Sequence, residues 1–306
     1  MPLLDVILGY DCNLFCDYCT ISPSMRARAL TAAQVDRAMQ VARNDGFERI
    51  SFTGGEPTIR GDLLPLVRRA RQLGFADVKL QSNGLLFGSG NNVDRLVDAG
   101  VTRFHVSIHT HEHDAYETMV RRAGTHAAMV AGLRALVERQ LAPIADVILE
   151  RTTWPRLPDA LQWLHGLGVR AADLWFVSLT DHNRDNVASM PRMTEVVPTV
   201  SAALAWARAH EMIVRSLHIP RCLLGDDHPH AWDPALEGVR VVSPDATFDL
   251  RGSRLTGQIH VPACRGCTFE SRCPGVRPDY LARFGDDEIT RARGGARGSL
   301  RHLPTV

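Results

Sequence analysis

The chain has 306 residues, is 45% hydrophobic and carries a formal net charge of +1, which fits a globular fold and excludes the charge excess of a nucleic-acid-coating protein. No stretch approaches the ~18 consecutive apolar residues of a membrane span, and the short apolar start lacks the basic region of a signal peptide. The seven cysteines fall into two tight groups plus one, a pattern of metal or catalytic use in a reducing cytoplasm and not of a disulfide framework. Lys79 is the only lysine, a bias that codon usage accounts for.

In chain order, residues 5–10 read as a strand and 31–45 as a helix capped by Thr31. A strand over 49–53 ends in Gly54-Gly55, and a helix follows over 62–73. Then come a strand over 77–81, a helix over 92–99 closed by Gly100, a strand over 103–108 and a helix over 126–140. A strand over 146–152, a helix over 157–166, a strand over 173–177 and a long helix over 193–210 complete the pattern. Strand–helix alternation repeated about six times means parallel strands with crossover helices. It predicts an α/β fold, an open partial (β/α)6 barrel over residues 1–215. Ligands in such sheets bind beyond the carboxyl ends of the strands. After residue 215 Pro, Gly, Asp and His dominate, with a short extended run over 239–242, so 216–289 reads as a small second domain. The Arg- and Gly-rich residues 290–306 read as a flexible tail.

Cys12, Cys16 and Cys19 follow the first strand with C-x3-C-x2-C spacing. Structural zinc takes four protein ligands, whereas a cubane iron–sulfur cluster held by three thiolates leaves one iron open. With Tyr18 before the third cysteine, and Gly54-Gly55-Glu56-Pro57 after the second strand, the chain resembles radical S-adenosylmethionine (SAM) enzymes. The resemblance implies a [4Fe–4S] cluster whose open iron takes the amino and carboxylate groups of SAM. It also implies reductive cleavage of SAM to a 5′-deoxyadenosyl radical that abstracts a substrate hydrogen atom, with an electron donor such as flavodoxin or ferredoxin. By the same resemblance Gly54, Gly55 and Glu56 meet the methionyl amine, Pro57 stiffens the turn, and Tyr18 packs near the adenine or shields the cluster. Ser82 and Asn83 sit where the family often has a Thr-Asn-Gly strand end. Ser107, Glu150 and Thr152 are further strand-end polar groups that could meet SAM or substrate.

Cys264, Cys267 and Cys273, followed by Pro274-Gly275, resemble the C-terminal half of SPASM/Twitch extensions, which carry auxiliary [4Fe–4S] clusters. Where a full SPASM domain continues with another cysteine, this chain has Arg277. Cys222 with these three supplies four thiolates, enough for one auxiliary cubane and so for two clusters in all. Zinc remains the alternative for that set. Cys222 is alternatively a thiol that returns a hydrogen atom to a substrate radical, as in some peptide epimerases of this layout. His109, His111 and His113 alternate, but as they follow a strand they read as loop or substrate-facing groups and not as a metal site; His228 and His230 read as surface residues.

Enzymes with this layout modify ribosomal peptides or natural products, dehydrogenate small molecules, or make cofactors. Peptide tailoring (cross-linking, epimerisation or oxidation) ranks first here, with a separate leader-peptide-binding partner, because the first strand begins at the N-terminus. A small-molecule dehydrogenase or cofactor-biosynthesis enzyme is the alternative; the molybdenum-cofactor enzyme ranks lower because the chain ends Leu303-Pro304-Thr305-Val306 and not in Gly-Gly. A zinc-stabilised binding protein is the alternative outside enzymes. Neither nucleic acid nor membrane is expected as a partner.

Overall fold

A computed structural model describes residues 2–232, 237–251, 253 and 259–299. Strand β1 (Leu3–Ile7) leads through a long loop to helix α1 (Ala32–Asn44). Thr31 caps α1 by accepting from Gln34 N, and the Gln34 side chain accepts from Thr31 N at 2.8 Å. Next come β2 (Arg49–Thr53), α2 (Leu63–Gln72), β3 (Asp77–Ser82) and α3 (Asn92–Ala99). Gly100 stops α3 at φ 116°, a left-handed conformation that residues with a Cβ avoid. Strand β4 (Arg103–Ser107) is followed by α4 (His113–Val120) and α5 (Thr125–Glu138). The chain continues through β5 (Ile144–Leu149), α6 (Leu157–Gly166), β6 (Ala171–Phe176), α7 (Met193–Ala209) and β7 (Ile213–Leu217). The short α8 (Arg221–Leu224), β8 (Ala231–Trp232), β9 (Val239–Val242) and β10 (Thr247–Asp249) lead to α9 (Pro278–Phe284) and α10 (Asp287–Ser299).

All these strands join one curled sheet in the order β10-β9-β1-β2-β3-β4-β5-β6-β7-β8, parallel except for β10. The parallel α/β barrel expected from the sequence is present, but its sheet is larger. Strand β7 spans residue 215, where the expected first domain ends, and pairs with β6 in register Leu174↔Ser216. Strand β9, from the expected second domain, pairs in parallel with β1. Leu3, Val239 and Val241 form a small apolar cluster behind that junction. The alternation along the strands explains the two faces. Leu4, Val6, Ile50, Phe52, Val78, Leu80, Phe104 and Val106 are buried in the main core. Their neighbours Asp5, Lys79, Gln81, His105, Asp173 and Trp175 line a cavity on the concave face.

Two further differences have local causes. Helix α4, eight residues with a mixed sequence, is not expected from the sequence. The tail expected from residue 290 is helical to Ser299; Ile289 and Glu288 are buried, and Glu288 accepts from Thr194 N at 3.3 Å, which docks α10 on α7. Residues 300–306 lie outside the described part.

Candidate active site: two thiol pockets on one cavity

Cys12, Cys16 and Cys19 line a pocket of about 170 Å³ with Tyr18, Gly54, Gly55, Ser82, Asn83, Ser107 and His109. Those residues come from the loops and ends that follow β1 to β4, where a parallel sheet gathers its ligand-binding groups. The cysteine loop is pinned from outside: Arg26 Nη1 donates to Cys12 O at 2.7 Å, and Arg122 Nη1 to Asn13 O at 2.8 Å. Cys12 Sγ accepts from Leu14 N and Cys19 Sγ from Ile21 N, both at 3.4 Å. Burial pushes the Cys16 thiol up to about 12 and Cys12 to about 11, and raises Cys19. Such thiols keep their protons until a bound cation favours the thiolate. That donor chemistry fits a metal cluster and not a free nucleophile.

The two glycines line the pocket and also have a structural task. Gly54 has φ 127°, and a Cβ there would lie 2.3 Å from Gly9 O; a Cβ on Gly55 would lie 2.0 Å from Asp11 O. Gly55 N donates to Gly9 O and Glu56 N to Asp11 O, each at 2.8 Å. The close approach is therefore between two backbone segments, and it docks the cysteine loop. Glu56 is buried and does not line the pocket. Its carboxylate accepts from Thr58 N (2.9 Å), Thr58 Oγ1 (2.6 Å), Ser82 Oγ (2.8 Å) and Asn83 N (2.7 Å). Burial raises its pKa against those four donors. Glu56 thus braces Ser82 and Asn83, which themselves face the pocket, and Pro57 is buried at the start of the following turn. Asn83 Nδ2 reaches Asn13 Oδ1 at 2.7 Å, tying β3 to the cysteine loop.

Tyr18 lies edge-on to His109, ring centroids 4.6 Å apart, with its hydroxyl against Nε2. Burial lowers His109 to about 4, so the ring is neutral near pH 7, and its Nδ1 is buried with no partner among the described residues. His109 is thus a pocket residue, while His111 packs on Trp163 and His113 is exposed beside Asp114; the run does not converge. His228 is packed against Phe269 and His230 Nδ1 donates to Val214 O at 2.9 Å, so neither is a plain surface residue. Glu150 and Thr152 do not line the pocket; Glu150 accepts from Thr152 N at 2.8 Å and closes the turn after β5. Tyr10, Thr53, Gln81 and Tyr116 do line it. Tyr10, Thr53 and Gln81 lie at or near strand ends, whereas Tyr116 comes from α4 and had no signal in the sequence.

Cys222, Cys264, Cys267 and Cys273 line a second pocket with Pro220, His260 and Ile289. The structure brings Cys222 to its distant partners by placing α8 beside α10. Cys267 Sγ accepts from Phe269 N at 3.4 Å, repeating the pattern of the first loop. Burial, reinforced by the other three thiols, pushes Cys222 up to about 12. A tetrahedral zinc with Zn–S near 2.3 Å needs sulfurs roughly 3.8 Å apart. The four thiols could hold either a zinc ion or a cubane cluster. Arg277, where a further cysteine is absent, is buried and paired with Asp279 at 2.5 Å.

Between the pockets lies a cavity of about 350 Å³. Gln81 is common to it and the first pocket; Pro220, Cys273 and Gly275 are common to it and the second.

The family model described as "Radical SAM superfamily" matches residues 6–164, more than half of the chain. The chain belongs to the radical SAM superfamily. Membership implies SAM and a SAM-binding [4Fe–4S] cluster, and the thiol loop with its docked glycine turn fits that group. Among curated proteins, a "Probable GTP 3′,8-cyclase" of Methanopyrus kandleri is 30% identical over 158 residues, 51% of this chain and 50% of that protein. One of Saccharolobus islandicus is 31% identical over 179 residues, 56% of each. The chain spans about half the length of the curated relatives it matches. Among solved structures, anSMEcpe with bound AdoMet and the Kp18Cys peptide aligns with TM-score 0.68 at 12% identity, covering 96% of this chain and 100% of that one. Streptococcus suis SuiB bound to S-adenosylmethionine aligns with TM-score 0.64 at 13% identity, covering 92% and 67%. These two likenesses establish the fold. No helix among the described residues is long and apolar enough to cross a membrane.

Proposed function

We propose that this radical SAM protein is an enzyme acting on a small molecule, in a cofactor-biosynthesis or related oxidative step, with the substrate in the central cavity. The carrying observation is that one cavity of about 350 Å³ shares lining residues with both thiol pockets, a size typical of small-molecule sites. When bound, the cluster and SAM supply the one-electron chemistry that removes a hydrogen atom from the substrate. The chain's own part is to hold the first cluster with Cys12, Cys16 and Cys19, to position SAM with Ser82, Asn83 and Ser107, and to keep water out. Cys222, Cys264, Cys267 and Cys273 hold the auxiliary [4Fe–4S] cluster of a Twitch-like segment, built into the barrel sheet through β9. A reductant such as flavodoxin or ferredoxin supplies the electrons.

The curated relatives carry the name of a cofactor-biosynthesis enzyme, so small molecules move ahead of the peptide substrates ranked first from the sequence. A peptide reading keeps the support of one neighbour's shape, SuiB bound to the precursor peptide SuiA, TM-score 0.64. The test is substrate-stimulated 5′-deoxyadenosine formation by the anaerobically reconstituted chain. A small-molecule extract should stimulate it, a linear peptide library should not, and Ser178→Trp, which fills the cavity, should abolish the stimulation. Stimulation by peptides alone rejects the proposal.

A further inference from the structure

Lys79 is the only lysine in a chain with 35 lysines and arginines together, and it stands on the concave face of β3, in the central cavity. No hydrogen bond or ion pair to it is found among the described residues. Its charge lies close enough to favour the Asp146 carboxylate, so what it lacks among the described residues is a hydrogen-bond acceptor. The surrounding floor is also unsatisfied. Asp5, Ser51 and Lys79 are register partners across β1, β2 and β3, so they share the concave face. Asp5 Oδ1, Ser51 Oγ and, from β5, Asp146 Oδ2 are buried without a partner. Opposite them His105 Nδ1 lies 3.1 Å from Asp146 Oδ1, which also accepts from Trp175 Nε1 at 3.2 Å.

The charges on this floor decide the ligand class. His105, Asp146 and Asp173 gather ligand atoms within 4.8 Å, as a metal site does. Yet Arg215 occupies both Asp173 oxygens, at 2.7 and 2.6 Å, and Lys79 and Arg215 place two cations beside the set. A metal ion is disfavoured there. An anion would satisfy Lys79 but face Asp5, Asp146 and Asp173. Neutral hydroxyl groups suit both, because each donates one hydrogen bond and accepts two. Vicinal hydroxyls can accept from the ammonium while donating to the carboxylate of Asp5, which lines the cavity with it. Trp175 and Trp232 also line the cavity, and the Arg215 guanidinium lies over the Trp232 ring, 4.1 Å from its centre.

We infer that Lys79 anchors a polyhydroxylated ring, a sugar or the ribose of a nucleoside, at the floor of the central cavity. This rests on the small-molecule reading above. The test is calorimetric titration of the reconstituted, SAM-loaded protein with glucose, myo-inositol, guanosine, glutamate and a hexapeptide, on wild type, Lys79→Met and Lys79→Arg. At least one hydroxylated probe should bind wild type, and lose about tenfold or more in affinity in Lys79→Met, the scale of one charge-assisted hydrogen bond. Lys79→Arg should recover part of it. Guanosine alone points to a nucleoside, and glucose or inositol to a free sugar. Where Lys79→Met fails to fold, acetylation of wild type read by mass spectrometry replaces it, since one side-chain amine is present: the bound probe should protect Lys79. Equal binding by wild type and Lys79→Met, unprotected Lys79, or Lys79-dependent binding of glutamate or peptide alone overturns the inference. A hydroxylated probe that stimulates 5′-deoxyadenosine formation without needing Lys79 overturns the anchor but keeps the small-molecule reading. A peptide that alone stimulates it overturns that reading.

Discussion

At the scale of single residues, the thiol pocket depends on a buried carboxylate behind it. Glu56 satisfies four donors from two elements. Glu56→Gln turns one acceptor oxygen into a donor facing donors, a loss on the order of 1–3 kcal/mol. Calorimetric melting should show lower stability, and equilibrium dialysis weaker SAM binding; an unchanged melting temperature rejects the bracing role. His218 carries a pH signature. Burial and the neighbouring Arg277 lower it to about 3, and Arg277 Nη1 lies 3.2 Å from Nδ1. The unfolded chain, with an ordinary imidazole near 6.5, takes up a proton the folded chain refuses. Stability should therefore fall as pH drops from about 6.5 toward 3, and His218→Asn should flatten that fall in urea titrations at successive pH values. Identical slopes for the two proteins would remove His218 from this account. The cysteines were legible in the sequence because their spacing is local. The bracing of Ser82 and Asn83 by Glu56 was not, since a hydrogen bond across 26 or 27 residues leaves no periodic trace.

At the scale of elements, the docking of the Gly54-Gly55 turn on residues 9–11 sets the position of the first thiols. Gly55→Ala places a Cβ 2.0 Å from Asp11 O, a backbone atom that cannot yield without moving Cys12. We expect loss of the first cluster's iron on reconstitution and a destabilisation of roughly 2–4 kcal/mol; full iron retention would contradict it. The helices and strands with strong alternation or caps, such as β2, α3 and α6, were legible to the residue. Strands β8 and β10 were not, because two and three residues carry too little pattern, nor was β7, whose first residue Ile213 is exposed. Their pairing is decided by the sheet edges they meet.

For the whole molecule, the two thiol pockets predict the iron content. Reconstituted wild type should hold about eight irons per chain, and Cys222→Ala about four if that thiol is a ligand of the auxiliary cubane. Iron retained at the wild-type level with turnover blocked would assign Cys222 as the hydrogen donor instead. The barrel was legible from alternation and the second thiol group from spacing. That both belong to one sheet was not, because β9 finds β1 across more than 230 residues.

That last pairing has a consequence for biosynthesis. The strand that launches the first cysteine loop is the first made, yet one of its edges stays open until residues 239–242 leave the ribosome. Contacts of such sequence separation form late. The nascent chain therefore carries β1 with one edge unpaired long after Arg26, Gly55, Asn83 and Arg122, the residues that pin the cysteine loop, have been made.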